Sequence, residues 1–300
     1  MRIGIDLGGT KIAAACMRPD GTLGPRHRVP TPSDYGETLD AVHQLVETIE
    51  ADEGARSRVG IGTPGALSPW SGVMKNANNT ALNGMPFRAD LEARLDREVR
   101  MANDADCFAL SEAVDGAAAG ASVVFGVIVG TGCGGGIVID GKVIGGSNAI
   151  GGEWGHNPLP WPRGDEVPGP LCDCGRRGCI ELYLAGTGLR RDHQAVTGQR
   201  MNAEAIEQRG MEGDPACVAT LDRYVDRMAR SLATVINFLD PEVIVLGGGV
   251  SRMQMLYQRV PAIWEQYVFS DHVATRLVEN RHGASSGLRG AAWLWPATAV

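Results

Sequence analysis

The sequence predicts an α/β protein of two related domains facing each other across a cleft. A unit of strand, glycine-rich turn and strand occurs twice, about 120 residues apart. Each copy closes on an Asp-Gly hairpin signal, Asp20-Gly21 and Asp140-Gly141. Between and after the copies, apolar residues recur at helical spacing. A period this long is not that of a solenoid, and 300 residues suffice for two domains.

The elements follow in order. Ile3 to Leu7 reads as a strand, Gly8-Gly9-Thr10-Lys11 as a turn and Ile12 to Met17 as a second strand. A third, near Arg26 to Val29, stops at Pro30. Leu39, Val42, Val46 and Ile49 give Glu37 to Ile49 one apolar helical face. Val59 to Gly62 is a short strand, Phe87 to Val99 a helix, and Val99 to Ala102 a strand delivering Asn103-Asp104 to a helix over 105–119. The second copy runs through a strand over Val123 to Val129, a turn over Gly130 to Gly136 and a strand over Ile137 to Ile139. Gly145 to Gly178 reads as a long loop, a feature that is usually functional. Helices are expected over Ala203 to Met211, Pro215 to Leu239, Leu256 to Tyr267 and Ser286 to Trp295, with a buried strand at Val243 to Leu246. The domain boundary falls in the small-residue stretch Gly116 to Ala121, giving domains 1–118 and 119–300. The loop over 145–181 is an insertion in the larger domain, and the last helix, about 286–296, packs back on the smaller.

Hydrophobic residues make up 44% and charged residues 21%, an ordinary globular profile. The net charge of −7 argues against a nucleic-acid partner. No apolar run is long enough to cross a membrane, and the N-terminal residues lack a signal-peptide pattern, so a cytoplasmic location is expected.

Three glycine-rich turns follow strands: Asp6 to Lys11, Gly130 to Gly136, and Gly247-Gly248-Gly249. Glycine lets backbone N–H groups reach a phosphate without a Cβ in the way. None is a Walker sequence, and singly each is weak; on duplicated units they favour a nucleotide. Asp6, at a strand end, suits Mg²⁺ held through water, or caps the turn. Asp104, opening a helix after a strand, suits a base for phosphoryl transfer, or is a plain helix cap. Lys11 either reaches a phosphate or faces solvent. Of the seven cysteines, Cys172, Cys174 and Cys179 crowd into eight residues. Three soft thiolates need one more ligand for tetrahedral Zn²⁺, and His156 stands upstream in the same loop. Four protein ligands leave no open position, so such a zinc is structural. Cys16, Cys107, Cys133 and Cys217 read as packing residues.

Asp6-Leu7-Gly8-Gly9-Thr10-Lys11, Gly130-Thr131-Gly132-x-Gly134-Gly135-Gly136, Glu153-x-Gly155-His156 and Cys172-x-Cys174-Gly175-x-x-Gly178-Cys179-x-Glu181 resemble the motifs of the ROK family (repressors, open reading frames, kinases). The resemblance covers essentially the whole chain and implies the actin-like ATPase fold of hexokinase and ribonuclease H-like proteins. It implies ATP with Mg²⁺ at the glycine turns (Asp6, Gly8, Gly9, Thr10, Lys11, Thr131, Gly132, Gly134 and Gly247 to Gly249) and Zn²⁺ on His156, Cys172, Cys174 and Cys179. It makes Asn103 and Asp104 sugar ligands with Asp104 the general base, and Glu153, His156 and Glu181 further sugar ligands. Gly65, Asn78 and Asn79 are expected to complete the pocket. Lys75 to Thr80, Leu82-Asn83-Gly84 and Glu153 to Trp161 look most like bacterial fructokinases of the family, which implies transfer of the γ-phosphate to the 6-hydroxyl of fructose, with mannose or glucose as further acceptors. N-acetylglucosamine kinase and glucokinase are the alternatives, and a sugar-sensing protein is the non-enzyme one. A ROK repressor would carry an N-terminal DNA-binding domain, whereas this sequence opens on the phosphate strand. The resemblance also implies a homodimer.

Overall fold

The computed structural model describes residues 1–77 and 79–296. Its elements are β1 (Arg2–Leu7), β2 (Lys11–Met17), β3 (His27–Pro30), α1 (Tyr35–Glu53), β4 (Arg58–Thr63), β5 (Ala66–Leu67), β6 (Met74–Lys75), α2 (Phe87–Leu95), β7 (Val99–Asn103) and α3 (Asp104–Val114). There follow β8 (Val123–Val129), β9 (Cys133–Ile139), β10 (Lys142–Val143), α4 (Glu181–Leu184), α5 (Gly186–Thr197), α6 (Ala203–Met211), α7 (Pro215–Leu239), β11 (Val243–Gly247), α8 (Leu256–Trp264), β12 (Arg276–Glu279) and α9 (Ser286–Trp293).

The duplication seen in the sequence is a duplication of topology. One five-stranded sheet runs β3-β2-β1-β4-β7, the other β10-β9-β8-β11-β12, so both place the second strand of the unit beside the first and the next crossover strand on its other side. In the first sheet β1, β4 and β7 are parallel and β2 and β3 antiparallel. In the second, β11 is parallel to β8 and β12. Strands paired by crossovers are buried on both faces, and Val243 to Gly247 is buried throughout.

Contacts divide the chain into two units, one of Met1–Gly120, Gly136–Gly152 and the chain from Arg281, the other of Ala121–Gly135 and Glu153–Asn280. The first crossing lies beside the boundary expected at 118/119; the segment 136–152 and the last helix group with the first unit. In that unit α9 lies against β1, β4 and α3. The fit depends on glycine: a Cβ on Gly4 would meet Leu288 O at 2.0 Å, one on Gly60 would meet Ala291 O at 1.9 Å, and one on Gly290 would meet Cys107 O at 1.6 Å. In the second unit the long helix α7 buries one face, with Tyr224 donating its hydroxyl to Leu184 O at 2.6 Å.

Several expected bounds need correction. α2 stops at Leu95 because Asp96 turns left-handed at φ 48°. α3 stops at Val114, where the carboxylate of Glu112 turns back to accept the N–H of Ala117 at 2.9 Å. The second glycine turn is shorter than expected: β9 begins at Cys133, so Gly134, Gly135 and Gly136 are strand residues. α8 ends at Trp264 in a 3-10 turn, and α9 ends at Trp293. The sequence reading missed α5, α4, β12 and the β5–β6 pair. α5 opens on Gly-Thr-Gly and buries only Gly188, Leu189 and His193, which leaves little apolar periodicity to read. Among the described residues no helix is long and apolar enough to cross a membrane.

Candidate active site

In the first unit the predicted residues gather at the carboxyl ends of parallel strands, where open α/β sheets hold ligands. Asp6 pairs in register with Gly62 of β4, which pairs with Ala102 of β7. Two strand spacings put Asp6 and Ala102 about 10 Å apart. Burial raises the Asp6 carboxyl above its ordinary value, against the lowering pull of Lys11 and Arg26. The Gly8–Lys11 turn closes through Gly8 N–H to Lys11 O at 3.0 Å, and Thr31 donates to Gly8 O at 2.7 Å. Gly9, Thr10 and Lys11 are exposed.

Asn103 ends β7 and caps α3, its Oδ1 accepting the Ala105 N–H at 2.9 Å while its Nδ2 donates to Gly65 O at 3.1 Å. That second bond ties the Pro64-Gly65 turn to the helix start. Gly65 has φ 75°, and a Cβ there would lie 2.4 Å from Lys75 O, so the turn requires glycine. Asp104 is exposed at the first helical position and also accepts the Ala105 N–H, at 2.8 Å. The helix cap is thus Asn103 and not Asp104, which opens the first turn with an exposed side chain. Gly136, expected in the phosphate turn, instead lets β9 pass α3, since a Cβ would lie 2.5 Å from Ala105 O. Asn79 caps a short 3-10 turn through Ala81 N–H at 3.2 Å. Asn78 lies outside the described residues. Asn83, not predicted, holds this loop by accepting from Ala77 N–H at 2.8 Å and donating to Ala77 O at 2.9 Å.

In the second unit two glycine turns meet. Gly248, at φ 85°, sits against β8, where a Cβ would lie 2.3 Å from Val129 O. The turn Gly130-Thr131-Gly132 is joined to the start of α5 by Gly186 N–H to Gly130 O at 2.9 Å and by the Thr187 hydroxyl to Thr131 O at 3.2 Å. Glu181 reaches this turn as well: its Oε2 accepts the Cys133 N–H at 2.9 Å, and a Cβ on Gly132 would lie 2.6 Å from that oxygen.

The Nδ1 of His156 and the Sγ atoms of Cys172, Cys174 and Cys179 lie within 4.8 Å of one another. His156 Nδ1 is 3.6 Å from Cys172 Sγ, and Cys174 Sγ is 3.5 Å from Cys179 Sγ. Metal–sulfur bonds of about 2.3 Å at tetrahedral angles put sulfurs about 3.8 Å apart, so the four atoms fit a closed tetrahedral site. The strand-like pairing of Pro158 with Cys179 brings the two halves of the site together. Backbone N–H donation from Arg176 holds the Cys174 thiol at about 6. The other four cysteines are buried. A tether that the sequence did not reveal fixes the same loop. Arg230 donates to Pro160 O at 2.7 Å, to Trp161 O at 2.8 Å and to Glu166, which Arg227 also grips at 2.7 Å. Burial would raise the Glu166 carboxyl, but the bonds from Arg230 and Arg227 hold it below the usual carboxylate range.

A model of the ROK family matches residues 2–298. The chain belongs to that family. It is 41% identical over 299 residues to the N-acetyl-D-glucosamine kinase of Salmonella newport (strain SL254), covering 98% of this chain and 99% of that one. Among solved structures it resembles the ROK hexokinase from Thermus thermophilus, with a TM-score of 0.86 at 33% identity over 97% of this chain and 96% of the other. It also resembles a ROK family glucokinase from Streptomyces griseus in complex with glucose and AMPPNP, with a TM-score of 0.78 at 27% identity over 98% of both chains. The ROK chain has the actin-like ATPase fold with two α/β domains.

Proposed function

We propose that this ROK protein is an ATP-dependent sugar kinase acting on N-acetyl-D-glucosamine and transferring the γ-phosphate to its 6-hydroxyl. The observation that carries the sugar is the 41% identity, end to end, with the Salmonella kinase of that name. It favours the amino sugar over the fructose reading that the stretches Lys75 to Thr80 and Glu153 to Trp161 suggested.

Asp104 is the base: an exposed carboxylate on a rigid helix start, able to take the hydroxyl proton as the phosphoryl group arrives. Asn103, locked by Ala105 and Gly65, orients the sugar beside it. Glu153, His156 and Glu181 bind further hydroxyls, with Gly65 and Asn79 lining the pocket. The turns at Gly8 to Lys11, Thr131-Gly132 and Gly247 to Gly249 hold the ATP phosphates, and Gly134 supports the second from β9. Asp6 would hold Mg²⁺, which offsets the phosphate charge. His156, Cys172, Cys174 and Cys179 would hold Zn²⁺ as a structural ion that fixes the loop carrying Glu153. An enzyme that uses ATP and keeps clustered thiols reduced fits the cytoplasm. A homodimer is expected on the family resemblance, and light scattering on the purified chain checks it.

ADP release measured over N-acetylglucosamine, N-acetylmannosamine, glucose, mannose and fructose tests the proposal. The highest kcat/KM is expected with N-acetylglucosamine. A preference for fructose would overturn the sugar assignment, and no turnover on any of the five would overturn the kinase.

A further inference from the structure

The three thiols gathered around His156 are not alike. Cys174 is exposed, while Cys172 and Cys179 are buried. The Sγ atoms of Cys174 and Cys179 lie 3.5 Å apart. A disulfide needs about 2.05 Å between sulfurs, so this pair has about 1.5 Å left to close. Glycine stands at both ends of the intervening segment, Gly175 at φ 83° and Gly178 at φ 72°, and a Cβ on Gly175 would meet no atom within 4 Å. The segment is therefore neither hemmed in there nor restrained by a Cβ at its ends. An exposed cysteine with a second thiol poised beside it is the arrangement that reacts with peroxides and then closes to a disulfide. Cys16, Cys107, Cys133 and Cys217 are buried and lie outside the cluster.

Two contacts link these thiols to His156. Its Nδ1 lies 3.6 Å from Cys172 Sγ, and its carbonyl oxygen accepts from Cys179 Sγ at 3.5 Å. A Cys174–Cys179 disulfide takes two of the four donor atoms out of the cluster. With no S–H left on Cys179, it also ends the contact with the His156 carbonyl. His156 and Cys172 alone fall short of the four ligands that a structural zinc takes. The loop itself stays attached, because Arg230 donates to Pro160 O, Trp161 O and Glu166. Oxidation of this pair therefore releases His156 without detaching the segment around it.

We propose that Cys174 and Cys179 form a peroxide-sensitive disulfide site that loosens His156 and lowers the affinity for the sugar. The inference rests on the kinase and zinc readings and adds a regulation of that same site. The Cys174 thiol attacks one oxygen of hydrogen peroxide; the O–O bond breaks, a sulfenic acid forms and one water leaves. The Cys179 thiol attacks the sulfenic sulfur; the S–O bond breaks, the S–S bond forms and a second water leaves. Two thiols thus give two electrons and two protons to one peroxide. Where zinc holds both sulfurs as thiolates, solvent supplies the two protons. In a reducing compartment such a bond is transient, because other thiols reset it.

The purified full chain is treated with hydrogen peroxide and then catalase. The seven thiols counted in denaturant should fall to five. Peptide mapping should place the new bond between Cys174 and Cys179, and zinc should be released. The sugar KM should rise about tenfold, the scale of one lost hydrogen bond, with the KM for ATP within about twofold. Dithiothreitol with added zinc should restore it. Cys179→Ser lacks the second thiol, so Cys174 should stop as a sulfenic acid that dimedone traps. No bond, a bond to Cys172, or a wild-type Cys174 carried to sulfinic acid overturns the pair. A Cys174–Cys179 bond that leaves the sugar KM unchanged overturns the regulation. A zinc-free wild type that still forms the bond upholds the pair and overturns the zinc reading. A chain that turns over no hexose, yet forms the bond and releases zinc, upholds the disulfide site and overturns the kinase reading.

Discussion

The carboxylate of Glu181 accepts the backbone N–H of Cys133 at 2.9 Å, so a side chain expected to bind sugar is anchored to the turn expected to bind phosphate. The bond sets both the direction of the carboxylate and the geometry of the turn, and Gly132 leaves room for it. Glu181→Gln keeps an oxygen that accepts from Cys133 but loses the charge. Hydrogen bonds to charged groups contribute about 1.5–3 kcal/mol, so the sugar KM should rise roughly tenfold to a hundredfold while the KM for ATP holds within about twofold. Glu181→Ala also frees the turn and should raise both. Equal effects of Gln and Ala on ATP would refute the anchor.

Asp104→Asn tests the proposed base. A positioned base contributes about 10²–10⁴ in rate, so kcat should fall by that factor. The Asn103 cap does not depend on the Asp104 charge, so ADP affinity and Tm should stay near wild type. Activity within a few-fold of wild type would remove Asp104 from the chemistry.

What was legible in the sequence and what was not divides along the range of the interactions. The repeated strand-turn-strand unit, Asn103-Asp104 and the cysteine spacing are local, and they led to the two sheets, the capped helix start and the gathering of His156 with three cysteines. Contacts between distant segments had no local signal. Nothing near Glu166 announces Arg227 and Arg230 as partners, and nothing near Gly136 shows that it passes Ala105 rather than a phosphate. α5 was missed because only Gly188, Leu189 and His193 of its residues are buried, which leaves little apolar periodicity to read.

Asp6 gives a prediction about pH. Burial raises its folded pKa above the unfolded value of about 3.9. The folded state therefore holds this proton more tightly, and its contribution to stability is fully present below the unfolded pKa and lost as pH rises through the folded one. Asp6→Asn cannot ionise, so thermal melts should show it gaining Tm relative to wild type near pH 7, with the gain shrinking as pH is lowered. The same variant should lose most activity, because Mg²⁺ would lack its carboxylate. A stability difference independent of pH would show that the Asp6 charge is not strained.

α9 should be intolerant of any side chain at its glycine contacts. Gly60→Val places a branched side chain where even a Cβ would lie 1.9 Å from Ala291 O. Overpacking costs about 1–3 kcal/mol, and because the obstacle is backbone the upper end is expected in denaturant unfolding. Gly9→Val, at a glycine with no atom within 4 Å of its Cβ position, is the control. It should leave stability nearly unchanged and act on ATP binding instead. Equal midpoints for the two variants would contradict the packing of α9.

Metal removal tests the cluster of His156, Cys172, Cys174 and Cys179. Elemental analysis should find one zinc per chain in the purified protein. Cys174 is the ligand to change, because it is the exposed one of the three thiols and its loss leaves no cavity in the core. Cys174→Ser should lower zinc content and raise the sugar KM, since the proposed ion would hold the loop bearing Glu153 and His156. Arg230 still grips Pro160, Trp161 and Glu166 in that variant, so the loop keeps a second attachment and the fold should survive with a modest loss in Tm. Adding Arg230→Met removes that attachment. The double variant should lose more stability than the two single changes sum to, since each tether limits the loop that the other releases. Additive losses would mean the two tethers act on separate segments, and a fully active, zinc-free wild type would rule out the metal site.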